Sequence, residues 1–325
     1  MTTKYASVHE NLNGPGDARP TASQIIDDYD LEGKLSGKTV LITGCSSGIG
    51  VETARAIYRT GATLYLTARD VEKAKKTLSD LTDTSRVHFL HLDLGSVESV
   101  RDCADSFKSK SAQLNVLIEN AGVMACPEGR TRDGFETQFG TNHLGHFLLF
   151  YLLKDLLRDS TTPTFNSRVI VLSSCAHQGG SVHLDNLTLD GEYEPWKAYG
   201  QSKTANLWTA REIEKRFGEG GIHAWAVHSG SIATELQRHV QPELSQRWAS
   251  DKEGLKAWKS VEQGAATTVL AAVSPDLEGK SGLYLEDIQV AKGPPRGATG
   301  VADWAYDEDG PPQLWAKSLE LLGLH

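Results

Sequence analysis

A phenol and an ammonium stand four residues apart in Tyr199-Gly200-Gln201-Ser202-Lys203. On a helix that spacing is one turn, so both side chains share a face. A lysine beside a phenol favours the phenolate, lowering a pKa normally near about 10. General acid–base work near neutral pH requires such a shift. The spacing alone is cheap, and its value comes from position. Upstream, the apolar run RVIVL ends in Ser173-Ser174. A hydroxyl at a carboxyl strand end can hydrogen-bond a carbonyl or an alcohol, although either serine can equally act as a cap. Further upstream, Asn142 lies in a stretch of helical spacing, where it can organise a water between Lys203 and solvent. A serine with a histidine also invites a hydrolase reading. Ser174 sits in Ser-Ser-Cys-Ala, without the G-x-S-x-G elbow of that chemistry.

A second group of residues suits an anionic nucleotide. The run TVLIT leads into Gly44-Cys45-Ser46-Ser47-Gly48-Ile49-Gly50 and then into helical spacing. Gly44 permits the tight turn, Gly48 lets backbone approach a pyrophosphate, and Gly50 allows close helix–strand contact. The helix N-terminus then offers free N–H groups to phosphates. No Gly-Lys-Ser/Thr follows, which disfavours a P-loop. The next strand ends Thr67-Ala68-Arg69-Asp70. An NAD site usually carries a carboxylate at this tip. Here Ala68 occupies it and Arg69 follows, so a 2′-phosphate is favoured and NADP(H) is expected over NAD(H). The bland alternative is a solvated Arg69 opposite Asp70. Ser46 can add a hydroxyl to the same phosphate. Asp93, beside Leu94, can accept from an adenine amino group or serve as a helix N-cap. Asn120-Ala121-Gly122 would let backbone pass beneath the cofactor, with Asn120 bracing the sheet.

The elements that must position these groups follow a regular alternation. β-rich runs over 39–43, 63–68, 87–91, 115–119, 168–172, 223–227 and 282–285 alternate with helical spacing at 50–60, 71–81 and 97–109. Such alternation implies a parallel sheet with right-handed crossovers. The expectation is one α/β domain with a Rossmann-type, doubly wound, seven-stranded parallel sheet over 37–325. It is preceded by an N-terminal extension, 1–36, with a short helix over 22–28. The apolar stretch 146–157 reads as a buried helix, too short and too charged to span a bilayer. The N-terminus lacks the apolar core of a secretory signal.

Composition excludes several classes. The 325 residues are 39% hydrophobic, with a formal net charge of -9, which argues against a nucleic-acid partner. Four cysteines without a CxxC pair make a disulfide framework or zinc site improbable and favour a reduced, cytoplasmic compartment. His143 and His146 have a spacing that metals can use, but no carboxylate or thiol partner lies nearby in sequence. Packing is the expected role, and no metal is expected.

Together, TGCSSGIG, ENAG, the Asn142 helix, VLSS and YGQSK, in that order, resemble the short-chain dehydrogenase/reductase family from about Gly37 onward. The stretches TASQIIDDYDLEGKLSGKTVLITG, TARD, NHLGHFLL and QLWAKSLELL resemble its retinol-dehydrogenase-like and WW-domain-oxidoreductase-like members, without the WW modules. The resemblance implies that Tyr199 is the general acid in reduction and the base in oxidation. Lys203 would hold the nicotinamide ribose, Ser174 orient the carbonyl, and Asn142 complete a proton relay. It also implies cofactor contacts from Gly230, Ile232 and Thr234, the last toward the carboxamide. Two departures stand out. Glu119 replaces the first Asn of the usual Asn-Asn-Ala-Gly, and His228-Ser229-Gly230 replaces a usual Pro-Gly. Without proline's fixed φ, this loop is expected to be more mobile.

The segment 232–260 is where the family varies most. It carries Leu236, Trp248, Leu255 and Trp258, and with His177, Tyr193 and Trp196 it is expected to form an apolar lid, with core packing as the competing role for each. A hydrophobic ketone, aldehyde or alcohol of retinoid, steroid, lipid or secondary-metabolite type suits such a lid. A ketoreductase is the favoured reading, with a homodimer allowed. The alternatives are a non-redox, NADP-binding regulatory protein, and an epimerase or dehydratase. The latter would need a second acid/base, for which His177 is the obvious candidate.

Overall fold

The computed structural model describes residues 4–81 and 85–324. Among the described residues, eight strands form one sheet: β1 (Thr39–Thr43), β2 (Thr63–Ala68), β3 (Val87–His91), β4 (Val116–Glu119), β5 (Ser167–Leu172), β6 (Ile222–His228), β7 (Tyr284–Glu286) and β8 (Gln289–Val290). Their order is β3-β2-β1-β4-β5-β6-β7-β8. The first seven are parallel, as the sequence pattern implies. The addition is β8, a two-residue antiparallel edge reached through a tight turn at Asp287-Ile288. It is too short to leave a periodicity.

Among the described residues, eleven α-helices accompany them: α1 (Ala22–Asp28), α2 (Ile49–Arg59), α3 (Val71–Thr77), α4 (Val97–Lys110), α5 (Thr137–Phe139), α6 (Gly145–Asp159), α7 (Pro195–Phe217), α8 (Pro242–Ser250), α9 (Val261–Gly264), α10 (Ala266–Val273) and α11 (Gly310–Leu321). One core layer lies beneath α4, α6, α7 and α11, with Leu41, Leu117, Val169 and Val171 pointing into it. The other lies beneath α1, α2 and α10, fed by the alternate residues Val40, Ile42, Val116, Ile118 and Ile170. Strands covered on both faces are nearly all apolar, which is why β1 and β4 are buried throughout.

The N-terminal segment is not a loose tail. Thr21 caps α1 in a reciprocal capping box with Gln24, and Ile25 and Ile26 are fully buried against the α2/α10 layer. Among the described residues, no helix is long and apolar enough to cross a membrane. The sheet order reverses between β1 and β4, where crossovers depart in opposite directions. A doubly wound sheet leaves its crevice at that point, outside the carboxyl ends of the strands.

Candidate functional site

A cleft of about 920 Å³ opens there. Its nucleotide end is built by Gly44 to Gly50. Gly44 has φ +76, and a Cβ on it would meet Ala121 Cα at 2.8 Å, so both turn and close approach demand glycine. A Cβ on Gly50 would run into the Gly44 carbonyl and the Asn120 amide. Asn120 Nδ2 donates to Thr43 O at 2.7 Å and ties β4 to β1. Gly48 is the N-cap of α2, has φ +64, and supplies no side-chain cap, so the first N–H groups of α2 face the cleft unclaimed by a cap. These features fit a dinucleotide's pyrophosphate. Ser46, Ser47, Ile49, Ala121, Gly122, Gly230, Ile232 and Thr234 line the same cleft.

At the adenosine end, Asp70 caps α3 by accepting from Lys73 N at 2.9 Å. Arg69 is exposed, lines the cleft and makes no ion pair among the described residues. The pairing of Arg69 with Asp70 is therefore not realised. Lys73 adds a second cation that the sequence reading missed, currently bonded to Glu235 at 2.8 Å. Asp93 accepts from Gly95 N at 3.0 Å and lines the cleft beside Leu94. The cap of α4 is Ser96 instead.

At the other end, Tyr199 and Lys203 sit one turn apart on α7, which starts at Pro195 behind the capping carboxylate of Glu194. Ser173 and Ser174 follow β5 and divide the work. Ser173 Oγ donates to Lys203 O at 2.8 Å, holding α7 to the strand. Ser174 Oγ accepts from Ala176 N at 3.1 Å, capping a short turn, and also meets the Tyr199 phenol. Capping and facing the cleft are thus combined in one residue.

Burial changes the expected electrostatics. It pushes the Tyr199 phenol well above its ordinary range, and the hydrogen bond with Ser174 offsets only part of that. Burial also lowers Lys203 to about 8. Lys203 Nζ donates to Leu172 O at 2.9 Å and lies 5.6 Å from the Tyr199 ring centroid. Burial therefore dominates at the Tyr199 phenol, in the direction opposite to the fall that the Tyr–Lys spacing suggests. The phenol is neutral at pH 7 and suited to donate a proton.

Asn142 takes a structural place, and two expected substrate residues, His177 and Tyr193, need correction. Asn142 lies in a π-helical turn, Gly140–Leu144, fully buried behind Gly122. Its Nδ2 donates to Val123 O and Ser202 Oγ, both at 2.9 Å, and its Oδ1 accepts from Val123 N at 2.8 Å. With both amide hydrogens spent, the side chain binds the loop after β4 to α7. His177 is fully buried, with Nδ1 on Ser174 O at 2.7 Å and its ring 4.9 Å from Tyr284, so it faces away from the cleft. Tyr193 donates to Cys126 O at 2.8 Å, supporting the loop in which Ala125 adopts φ +49. It is not among the residues that line the cleft. By contrast, Trp196, Leu236, Trp248 and Trp258 line the cleft, joined by Met124, which the sequence pattern did not mark.

The histidine pair packs as its polar environment demands. His143 contacts Ser318 Oγ at 2.8 Å, and His146 contacts Thr43 Oγ1 and Asn142 O, each at 2.9 Å. The loop after β6 is buttressed despite lacking proline. Gly230, at φ +94, packs on the buried Lys259 chain, whose Nζ bonds Asp287 at 2.7 Å. A lysine has taken over what ring rigidity would have supplied.

Glu119 ends β4 opposite Val171, buried, with Oε1 unpaired. Burial raises its carboxyl to about 8. The folded state therefore holds one proton more than the unfolded state between about pH 4.5 and about 8. Stability is fully present below that window and falls as pH rises through it, by about 1.4 kcal/mol per pH unit. Melting temperatures of wild type and Glu119→Gln at pH 5 and pH 8 test this. The wild type should lose more between the two, and parallel behaviour would reject it.

Comparison with known proteins agrees with this geometry. Residues 38–245 match the family model described as short chain dehydrogenase. The chain is 52% identical over 324 residues to the short-chain dehydrogenase/reductase prx1 of Penicillium roqueforti, covering 99% of this chain and 95% of that protein. It is 40% identical over 294 residues to retinol dehydrogenase 12 of Mus musculus, covering 90% and 88%. Among solved structures, the RhlG/NADP active-site complex of Pseudomonas aeruginosa aligns with a TM-score of 0.63 and 27% identity, over 78% of this chain and 96% of that one.

Proposed function

The chain belongs to the short-chain dehydrogenase/reductase family, as an oxidoreductase acting on CH–OH and C=O groups with a nicotinamide cofactor, and on that premise we propose that it is an NADP(H)-dependent ketoreductase for a bulky hydrophobic carbonyl. One observation carries the proposal: Tyr199, Ser174 and Lys203 meet at one end of a cleft whose other end presents Arg69, which has no ion pair among the described residues.

The bound cofactor would supply the hydride. The protein's own residues do the rest. Ser174 Oγ and the Tyr199 phenol hydrogen-bond the carbonyl oxygen from one side. In reduction the neutral phenol gives its proton to that oxygen as negative charge develops there, and in oxidation it takes the proton back. Lys203, held by Leu172 O, binds the nicotinamide ribose and stabilises the phenolate left after transfer. Asn142 positions α7 against the loop below the cofactor. Arg69 pairs with the 2′-phosphate, with Lys73 within the same cleft.

The segment 232–260 acts as the substrate lid. Ile232 and Lys259 pair at its base, and Trp248, Leu236 and Leu244 pack with Met124, Val240 and Trp196 over Tyr199. An apolar wall of this size suits a substrate with a rigid hydrocarbon body. The relatives' names, a retinol dehydrogenase among them, agree with that class. The test is NADPH consumption with 2-decalone as probe. Wild type should turn it over, and Trp248→Ala should raise KM about tenfold, the loss of one aromatic contact. An unchanged KM would remove Trp248 from the substrate wall.

A further inference from the structure

Arg19 is the one arginine of the N-terminal segment, and it is 3% exposed. An almost fully buried guanidinium is costly unless its donors are satisfied. Its partners are informative. Nη1 donates to Ala257 O at 2.9 Å, and Nη2 donates to Trp258 O at 2.5 Å, Lys256 O at 3.4 Å and Gly14 O at 3.2 Å. Three consecutive carbonyls of the lid's last turn are therefore gathered on one side chain. Nε donates to Asp17 Oδ1 at 2.8 Å, which aims the fork. Bonds from Arg19 and Asn13 outweigh burial and hold the Asp17 carboxyl at about 2. Gly14 N adds a bond to Lys256 O at 2.9 Å. Gln263, just beyond the lid, donates to Arg19 O at 2.8 Å and accepts from Gly16 N at 2.9 Å.

What this staple holds is a row of aromatic rings that ends at Tyr199. Trp258 meets Trp248 with centroids 6.0 Å apart, Trp248 meets Trp196 at 6.0 Å, and Trp196 meets Tyr199 at 6.1 Å. Interplanar angles of 65°, 73° and 82° make each contact edge-to-face, a preferred aromatic arrangement that is weakened when either ring shifts. The lid's own helix, α8, has no fully buried residue, and only Leu244 and Trp248 pack from it against the cluster around Tyr199.

We infer that Arg19 is a positioning residue for substrate recognition, setting the height of Trp258 and through it the tryptophan wall, so that the cleft selects fused-ring ketones over small ones. The selection rests on the ketoreductase reading above, while the staple itself does not. Arg19→Gln loses the charged fork, and Arg19→Lys keeps the charge but reaches fewer carbonyls. Full-length wild type and both variants are compared for KM and kcat with 2-decalone and with cyclohexanone, for NADPH affinity by fluorescence, and for amide exchange across the lid.

In Arg19→Gln, KM for 2-decalone should rise about tenfold, as expected for disturbed aromatic contacts. KM for cyclohexanone, kcat and NADPH affinity should stay within about twofold, and exchange should quicken in the lid but not in β1 or β5. Arg19→Lys should recover part of the loss. Equal KM changes for both ketones, or unchanged lid exchange, would overturn the inference. If wild type reduced neither ketone, the ketoreductase reading would fail, and the staple would then stand or fall on lid exchange alone. Should Arg19→Gln not fold, Asp17→Asn, which leaves the guanidinium unaimed, is expected to give the same lid-specific exchange, and its absence would count against the inference.

Discussion

Tyr199→Phe is expected to lower kcat by about 10²- to 10⁴-fold, the usual contribution of a positioned acid–base group. The substitution removes one hydroxyl from a buried ring and leaves the Trp196 edge contact in place. NADPH affinity and melting temperature should therefore stay close to wild type. Because burial keeps the phenol protonated, the loss should appear in the reductive direction at neutral pH without any prior ionisation step. Steady-state rates with 2-decalone, paired with a fluorescence titration of NADPH, check both parts. A variant retaining wild-type kcat would remove Tyr199 from the chemistry. One that lost cofactor affinity equally would assign it to binding.

Arg69→Ala should weaken NADPH binding by about 10- to 100-fold, as expected for charge-assisted hydrogen bonds to a phosphate, while NADH changes little. The geometry gives this its sharpness. Asp70, the obvious competitor for the guanidinium, is occupied by the α3 N-terminus. Lys73 is bonded to the exposed Glu235, so it can leave that pair cheaply and keep part of the affinity in the variant. Raising ionic strength should therefore weaken NADPH more than NADH in wild type and narrow the gap in Arg69→Ala. Equal affinities for the two cofactors in wild type would contradict the assignment of the 2′-phosphate to this strand tip.

The sheet was legible because its determinants are local. Strands buried on both faces are apolar throughout, and glycine positions mark the turn that a nucleotide needs. The eighth strand escaped because two residues cannot show a period. At the site, residues fixed by strand ends and helix register could be read directly. Ser174, Tyr199, Lys203 and the Gly44 loop all come together at the cleft. Side chains on loops could not be read that way. His177 and Tyr193 have the right chemistry and the right region, yet the 3-10 turn after Ser174 turns His177 under Tyr284, and a backbone carbonyl claims Tyr193.

Asn142 shows a different limit. Helical spacing put it on a helix, but the number of its hydrogen bonds depends on the loop after β4, which no local pattern reveals. Desolvation was equally invisible. The Tyr–Lys pair suggested a lowered phenol pKa, whereas full burial of both groups reverses the balance. Arg19 left no signal at all, because the lid carbonyls it gathers lie more than two hundred residues away in sequence.

The most direct test of an NADP(H)-dependent ketone reduction is transfer of the label itself. Wild-type enzyme would be incubated with NADPH deuterated at C4 of the nicotinamide, in each of its two configurations, and with 2-decalone and larger fused-ring ketones. Product alcohols would be analysed by mass spectrometry. The expected result is one deuterium on the carbinol carbon from one configuration and none from the other, with Tyr199→Phe forming little product. Alcohol formed without deuterium from either labelled cofactor, or no alcohol from any of the ketones, would contradict the assignment.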